Sequence, residues 1–257
     1  MQHKPRKRFG QHFLTDAHYL ARIVKAISPK PGDSIVEIGP GTGLLTGELS
    51  RVVSGLHVIE IDRELAAHLR LVYRDGSVTV HEGDVLDFDF RKLSSPLRVV
   101  GNLPYNVSTP ILFKVAEIAD RVADCVFMLQ REVVDRMVAA PDTPDYGRLS
   151  VMLQYRFEMA LAVKVPPGAF TPPPKVDSAV VRMKPLGPKR PRARDDALFG
   201  KLVAAAFAQR RKTLRNATKL LVNPEAFERT GIDASRRGET LSVGEFIVLA
   251  DAAATSR

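Results

Sequence analysis

Short apolar runs alternate with amphipathic stretches over the first two thirds of the chain. The amphipathic stretches "GLLTGELS" and "RELAAHLRLVY" place apolar residues at helical spacing. The apolar runs are bounded by Gly, Asp, Asn or Pro, which is typical of strands. They predict strands at "SIVEIG", "LHVIEID", "SVTVHEGD", "LRVVGN", "CVFMLQ", "ALAVKV" and "SAVVRM".

Strands that alternate with helices predict an α/β fold with a doubly wound, mainly parallel sheet. In such sheets ligands bind beyond the carboxyl ends of the strands. The residues that directly follow each predicted strand are therefore expected to line one cleft.

The last third of the chain predicts helices instead. Helical apolar spacing occurs in "ALFGKLVAAAFAQ", "TLRNATKLLV" and "SVGEFIVLADAAA", with a short connecting helix in "NPEAFERTGI". The segment 184–194 is rich in Pro, Gly and basic residues, has almost nothing to bury, and is interpreted as a linker. We therefore predict a first domain over residues 1–185 and a small helical domain over residues 186–257.

The chain is strongly basic, with a formal net charge of +9 and a pI of about 9.8. Basic residues concentrate in the runs 4–8, 184–194 and 209–215. Such an excess favours a polyanionic partner, with nucleic acid ahead of an acidic membrane surface, although a single run is equally typical of a solvated face.

Cysteine usage and hydropathy exclude several classes. The single cysteine, Cys125, rules out an internal disulfide framework, and its apolar surroundings favour a buried structural thiol over a nucleophile. No Cys/His cluster has metal-ligand spacing, so we expect no metal. Apolar runs stay below about 18 residues and the basic start lacks the apolar core of a signal peptide, so we expect no membrane span and a cytoplasmic location.

Glycines follow the first predicted strand in "EIGPGTG". Gly39, Gly41 and Gly43 let the backbone turn sharply from strand to helix and approach a ligand closely. The pattern alone fits a dinucleotide site, a nucleoside site or a tight turn. The phosphate-loop sequence that ends in Gly-Lys-Ser/Thr is absent, which argues against an ATP hydrolase.

Acidic residues follow the next two strands. Glu60 lies 21 residues beyond Gly39, a spacing at which a carboxylate meets ribose hydroxyls. Asp62 is a competing candidate that could instead cap the next helix. Asp84 could accept a hydrogen bond from the amine of an adenine, with Val85 packed against the ring.

The fourth strand ends in "NLPY", which a dinucleotide oxidoreductase does not need. Together with the other strand ends it indicates S-adenosylmethionine as cofactor and an amine as methyl acceptor. Asn102 and the carbonyl of Leu103 or Pro104 could accept hydrogen bonds from both N–H groups of an adenine amine and so free its lone pair. Tyr105 offers a ring face on which the base can stack. The alternative for Asn102 is an ordinary turn residue.

The chain resembles the ribosomal RNA adenine dimethyltransferase family, in particular its bacterial small-subunit branch. The resemblance runs nearly end to end and is carried by "RKRFGQHFL", "EIGPGTG", "VIEID", "GNLPYNVSTPIL", "YGRLSVMLQY", "FTPPPKVDSAVVR" and "AAFAQRRKTLRN". It implies a Rossmann-like methyltransferase sheet with a small C-terminal helical domain, in which the basic run 209–215 fits an RNA-binding surface. The implied substrate is a pair of adjacent adenosines in a hairpin loop near the 3′ end of 16S rRNA, within the immature 30S subunit, acted on by a monomer.

The resemblance also implies residue roles. His12, where many relatives have Asn, and the backbone of Leu14 match positions that close over the cofactor. Phe170 matches a second aromatic that stacks on the target base opposite Tyr105, although a core ring is the alternative. Lys175 matches a contact to RNA phosphate. Gly39, Gly41, Glu60, Asp84, Val85 and Asn102 match the remaining cofactor positions.

Three other functions share parts of this pattern. A large-subunit (23S) rRNA adenine methyltransferase has the same chemistry. A non-catalytic assembly or transcription factor can use the same fold, but "NLPY", Glu60 and Asp84 are intact here. A methylase of DNA or small-molecule amines explains the cleft but not the basic tail.

Overall fold

The computed structural model describes residues 12–209 and 211–255. Its strands are β1 Phe13–Leu14, β2 Ser34–Ile38, β3 Leu56–Glu60, β4 Val78–Glu82, β5 Leu97–Asn102, β6 Val122–Gln130, β7 Phe157–Val165, β8 Phe170–Thr171 and β9 Ser178–Pro185. Its α-helices are α1 Ala17–Ile27, α2 Leu44–Ser50, α3 Arg63–Val72, α4 Ser108–Glu117, α5 Arg131–Val138, α6 Arg148–Gln154, α7 Asp196–Ala208, α8 Leu214–Thr218, α9 Pro224–Thr230 and α10 Val243–Ala254.

Seven strands form one sheet in the order β4-β3-β2-β5-β6-β9-β7. Strands β2 to β6 are mutually parallel, and β9 pairs antiparallel with β6. All seven predicted strands and the mainly parallel arrangement are confirmed. The central strands are buried on both faces, as expected of a sheet covered by helices.

A second, two-stranded sheet was not predicted from the sequence. Strand β1 pairs antiparallel with β8, and Leu14 lies opposite Phe170. Strands of two residues have no periodicity to recognise, and their pairing joins segments more than 150 positions apart. This pairing places the N-terminal segment beside the end of the large sheet.

Strands β2 and β5 approach each other closely at their carboxyl ends. A Cβ atom on Gly101 would lie only 2.3 Å from the carbonyl oxygen of Ile38. Glycine is required at position 101 because the clashing atom belongs to the backbone of β2, which cannot move aside as a flexible side chain can. The absence of a side chain brings the turn after β2 next to Asn102.

The described residues divide into two compact units, 12–134 with 158–185, and 135–157 with 186–209 and 211–255. The predicted boundary assigned residues 135–157 to the first domain, whereas the structure groups them with the C-terminal helices. The reason is a shared apolar core, in which Val151 and Tyr155 pack with Phe199 and Leu202. The four predicted C-terminal helices are confirmed as α7 to α10.

The linker interpretation of 184–194 is wrong for its second half. Arg190 is only 8% exposed, its guanidinium lies 5.4 Å from the ring centroid of Tyr155, and it donates to the Tyr155 carbonyl at 3.2 Å. The Ala193 amide donates to the Tyr155 hydroxyl at 3.0 Å. These contacts fix the segment to the second unit, because a ring and a carbonyl satisfy a cation that composition alone assigns to solvent.

Across residues 12–209 and 211–255, no helix has the length and hydropathy needed to cross a membrane. The same residues hold no group of three or more His, Cys, Asp or Glu side chains arranged for a metal. Cys125 is fully buried in β6, and burial raises the pKa of its thiol well above the usual value.

Candidate active site

A cavity of about 220 Å³ opens at the carboxyl ends of β2, β3, β4 and β5. This is the edge at which the parallel sheet predicts a site. Among the residues predicted from the sequence, those that line it are His12, Leu14, Gly39, Gly41, Glu60, Asp84, Val85, Asn102, Leu103, Pro104 and Tyr105.

The glycine turn forms the cavity wall between β2 and α2. Gly39, Gly41 and Gly43 have φ angles of +66°, +59° and +84°, in the left-handed region that favours glycine. A Cβ on Gly41 would lie 2.9 Å from Cε1 of Phe13. The turn therefore needs glycine both for its conformation and for its contact with the N-terminal segment.

Glu60 ends β3 with a buried carboxylate. Its Oε2 accepts from the Gly41 amide at 3.0 Å, and its Oε1 accepts from the Asp62 amide at 2.8 Å. Burial raises the pKa of Glu60, while these two N–H donors counteract the shift. Each oxygen retains a second lone pair, so the carboxylate can still accept from the hydroxyls of a bound ligand.

The two other acids have different positions. Asp62 is fully buried and caps α3, where its carboxylate accepts from the Glu64 amide at 3.0 Å. The capping alternative for Asp62 is therefore confirmed. Asp84 is exposed on the cavity rim and accepts from the Leu86 amide at 2.9 Å.

Asn102 is oriented by the N-terminal segment. Its Nδ2 donates to the carbonyl of His12 at 3.1 Å. No described residue donates to its Oδ1, so the amide presents an acceptor. The carbonyl of His12 thus determines which end of the Asn102 amide faces the cavity.

The loop after Asn102 is held by backbone and side-chain bonds. The Leu103 amide donates to the Met128 carbonyl at 3.0 Å, and the Val107 amide donates to the Pro104 carbonyl at 3.2 Å. No described residue donates to the Leu103 carbonyl. In the sequence, the carbonyls of Leu103 and Pro104 are alternative acceptors for the amine. Of the two, only the Leu103 carbonyl accepts no hydrogen bond from a described residue.

The ring of Tyr105 is held at its hydroxyl and on one face. Its hydroxyl is hydrogen-bonded to Ser178 Oγ at 2.6 Å. The His12 imidazole stacks on it, with centroids 5.6 Å apart and planes 23° apart, and His12 Nδ1 donates to the Pro172 carbonyl at 2.8 Å. Neither Ser178 nor the stacking of His12 was predicted from the sequence, because these contacts link distant segments.

Phe170 does not line the cavity. The residue is 3% exposed and packs in the core of the first unit with Leu14, its partner in the β1–β8 pair. Its predicted role in stacking on a base therefore stays a prediction.

The cavity is acidic although the protein is basic. Its titratable lining consists of His12, Glu37, Glu60, Asp84 and Tyr105, with no Lys or Arg among the described residues. Glu37 was missed by the sequence reasoning. Burial raises its pKa to about 7, countered by a hydrogen bond from Thr46 and reinforced by nearby Glu60. The sequence did contain an indication of Glu37, because it lies inside the apolar strand "SIVEIG". Carboxylates are rarely buried in such strands unless they have a partner or a function.

Exposed cations lie on and around α8 of the second unit. Arg215 lies on the helix, Lys212 precedes it and Lys219 is its C-cap residue, and all three are exposed. None of them forms an ion pair within the described residues. Lys175 in the first unit is also exposed. The run 4–8 and Arg210 lie outside the described residues.

Comparison with known proteins identifies the family. The family model "Ribosomal RNA adenine dimethylase" matches residues 2–255. The chain belongs to the ribosomal RNA adenine dimethylase family. It is therefore a methyltransferase. Its cavity lies at the carboxyl ends of parallel strands, where open α/β sheets bind ligands.

Curated relatives match over nearly the full chain. The chain is 55% identical over 248 residues to "Ribosomal RNA small subunit methyltransferase A" of Aromatoleum aromaticum, covering 96% of this chain and 94% of the relative. It is 55% identical over 251 residues to the protein of the same name from Chromobacterium violaceum, covering 97% and 96%.

Two solved structures are also similar to this chain. A dimethyladenosine transferase from Plasmodium falciparum superimposes with a TM-score of 0.78 at 26% identity, covering 93% of this chain and 96% of that chain. The 23S rRNA methyltransferase ErmE superimposes with a TM-score of 0.68 at 26% identity, covering 93% and 98%.

Proposed function

We propose that this protein transfers methyl groups from S-adenosylmethionine to the exocyclic amines of two adjacent adenosines in a hairpin loop near the 3′ end of 16S rRNA. Each adenosine receives two methyl groups, and the substrate is the immature 30S subunit. The observation that carries the proposal is the Asn102 Oδ1 acceptor in an acidic cavity beyond four parallel strands. The names of the curated relatives support the small-subunit substrate.

The cavity residues fit S-adenosylmethionine. When bound, the cofactor supplies a methyl group on a positively charged sulfur. Gly39 and Gly41 would hold its methionine portion, and Glu60 its ribose hydroxyls. Asp84 would accept from its adenine amine, with Val85 against the ring. Among the described residues, the lining is acidic and contains no Lys or Arg, which suits a cationic ligand and supports the assignment independently of the family.

The target amine would be held at the corner after β5. Asn102 Oδ1 and the Leu103 carbonyl can each accept a hydrogen bond from one N–H of this amine. These bonds withdraw the nitrogen lone pair from the ring and make it available to attack the methyl group. Pro104 restricts the backbone, so the carbonyl direction is maintained. A group with a tuned pKa is not needed, since the cationic product can lose its proton to water. Holding the nitrogen in line with the methyl group supplies several kcal/mol of barrier reduction.

Tyr105 would stack on the extruded base. Such a contact contributes about 1–3 kcal/mol per base. Because His12 covers one face of the ring, the base takes the opposite face or displaces the imidazole. Phe170 would have to leave the core to stack as well. An adenosine in a loop costs least to extract, which favours a hairpin-loop target.

The basic surface would bind the RNA scaffold. Lys212, Arg215 and Lys219 are exposed and have no ion-pair partner among the described residues, and phosphate contacts are the expected use of such a group of cations. We propose action as a monomer on assembling subunits in the cytoplasm.

The substrate is tested by labelled methyl transfer. The protein is incubated with labelled S-adenosylmethionine and, separately, immature 30S subunits, large subunits and DNA, and the modified base is mapped. We expect two dimethylated adenosines in 16S rRNA only. Labelling of 23S rRNA or DNA instead would contradict the proposal. Asn102→Ala should abolish transfer and leave RNA binding nearly unchanged; transfer that persists would remove Asn102 from the mechanism.

The RNA surface is tested by charge reversal. Lys212→Glu combined with Lys219→Glu should weaken binding to the 30S subunit and flatten its dependence on salt concentration, since each lost phosphate contact lowers the slope by about one. Lys201→Glu, an exposed lysine on α7 of the same unit, is the matched control. Equal weakening by both variants would indicate a nonspecific charge effect.

A further inference from the structure

Glu37 is a carboxyl group of the cavity lining to which no role has been assigned. It is 2% exposed on β2, and its Oε2 accepts from the Thr46 hydroxyl at 2.7 Å. The other titratable groups that face it are Glu60 on β3 and Tyr73 at the end of α3. A neutral hydroxyl compensates little of the cost of a buried negative charge, and a second carboxyl adds to that cost.

Glu60 is better supplied with donors than Glu37. Two backbone N–H groups bond Glu60, at 3.0 and 2.8 Å, and favour its charged form. Glu37 has one hydroxyl donor. The two carboxyls are close enough to repel each other when both are ionised, so the proton resides on Glu37 first.

We propose that Glu37 distinguishes the positively charged sulfonium donor from the neutral thioether by-product by exchanging a proton with solvent. This inference rests on the proposed function, in which the cavity holds S-adenosylmethionine. When the donor enters, the Glu37 O–H bond breaks, one proton leaves to solvent, and the carboxylate balances the charge on sulfur. After methyl transfer the sulfur is neutral, and Glu37 takes a proton from solvent until its protonation equals that of the empty site. Glu37 thus gives up its proton only while the sulfur carries a charge.

This exchange has a selective consequence. The donor is bound in competition with the proton on Glu37, whereas the by-product is not. A pKa of about 7 means that about half of the empty sites carry the proton at pH 7. Below pH 7 the affinity for the donor falls toward a limit of tenfold per pH unit, and the affinity for the by-product does not change for this reason.

The experiment is calorimetry on the full chain with S-adenosylmethionine and with S-adenosylhomocysteine. Titrations at pH 7 in two buffers of different ionisation enthalpy give the protons released on binding. Glu37→Gln keeps the shape of the side chain and removes the titration. Protons from the ligand amino group are common to both proteins, so the difference between wild type and variant isolates Glu37.

We expect the donor to release about half a proton more from the wild type than from Glu37→Gln at pH 7, with no difference near pH 9. The by-product should show no difference at either pH. Thr46→Val removes the hydroxyl donor of Glu37 and should move the midpoint of the donor's pH dependence to higher pH; it also carries the test if Glu37→Gln does not fold.

Two results overturn the inference. Equal proton release by wild type and Glu37→Gln, or a wild-type excess that is the same for donor and by-product, excludes proton exchange at Glu37. Failure of the wild type to bind either compound contradicts the proposed function itself. Binding of both without a Glu37-dependent proton contradicts the inference and leaves the proposed function in place.

Discussion

Ser178 holds Tyr105 through a hydroxyl–hydroxyl hydrogen bond of 2.6 Å, although 73 residues separate them. Ser178 is fully buried at the start of β9, where it pairs with Gln130 of β6. The sheet therefore positions a ring that lines the cavity.

Ser178→Ala should release that ring while leaving the sheet intact. We expect kcat for methyl transfer to fall several-fold with little change in cofactor affinity, because the alanine cannot bond the Tyr105 hydroxyl. Tyr105→Phe removes the same bond from the other side, so the double variant should be no worse than the worse single variant. Rescue by Ser178→Thr, which retains the hydroxyl, is the control; strictly additive losses would contradict the positioning role.

Gly41→Ala should weaken cofactor binding. A left-handed φ of +59° costs an alanine about 1–2 kcal/mol, and its Cβ would meet Phe13 at 2.9 Å. Each 1.4 kcal/mol of this strain that appears in the binding free energy lowers the affinity for the cofactor about tenfold. Calorimetry measures this affinity. Gly200→Ala in α7 is the matched control, since its Cβ would lie 3.8 Å from Met152. That change should leave affinity unchanged and raise stability by about 0.5–1 kcal/mol.

Substitution of Glu60 should lower cofactor affinity, whereas substitution of Asp62 should lower the stability of the fold. Glu60→Gln forces an NH₂ group toward one of two backbone N–H donors, those of Gly41 and Asp62, so we expect at least about a tenfold loss of cofactor affinity. Asp62→Ala removes the cap of α3 and should cost about 1 kcal/mol in the free energy of unfolding. Denaturant titration and calorimetry on both variants check this. The reverse pattern would make Asp62 the ligand.

Arg98 stabilises the amino end of the sheet. It donates to Asp124 at 2.7 Å and to Asp33 at 2.6 Å. Arg98→Met leaves buried acceptors without their cation, and we expect a loss of about 3–5 kcal/mol in the free energy of unfolding. Arg182→Met removes only a half-exposed contact to Asp124 and should cost less than about 1 kcal/mol.

The Arg98 contribution should depend on pH. Burial alone would raise the pKa of Asp33, but the hydrogen bond and charge of Arg98 hold it below the usual value. A depressed pKa in the folded state means that the stabilisation is present above the unfolded value of about 3.9 and is lost as pH falls through the folded value. The stability difference between wild type and Arg98→Met should therefore narrow below about pH 4. A constant difference across that range would contradict the assignment to Asp33.

Much of the site was predictable because parallel strands end at one edge. Once the strands are recognised, Gly39, Glu60, Asp84 and Asn102 must meet there, and the spacing of Glu60 from the glycine turn is a local property. Repeated apolar runs and helical spacing are likewise local, which is why all seven strands of the large sheet were correctly predicted.

Other features depend on contacts between distant segments. The β1–β8 pair, the bond from Asn102 to the His12 carbonyl and the Tyr105–Ser178 bond each join residues 73 or more positions apart. Such pairings leave no periodic trace in either segment, and the same applies to Arg190, whose burial depends on the ring of Tyr155.

Local periodicity and strand ends are enough to predict the alternating fold, the edge that carries the site and the residue types at that edge. The folded structure was needed to show which lone pairs face the cavity, that Asp62 caps a helix, and that Glu37 is buried beside Glu60. The orientation and protonation of a polar group depend on the neighbours that folding places around it, and those neighbours come from elsewhere in the chain.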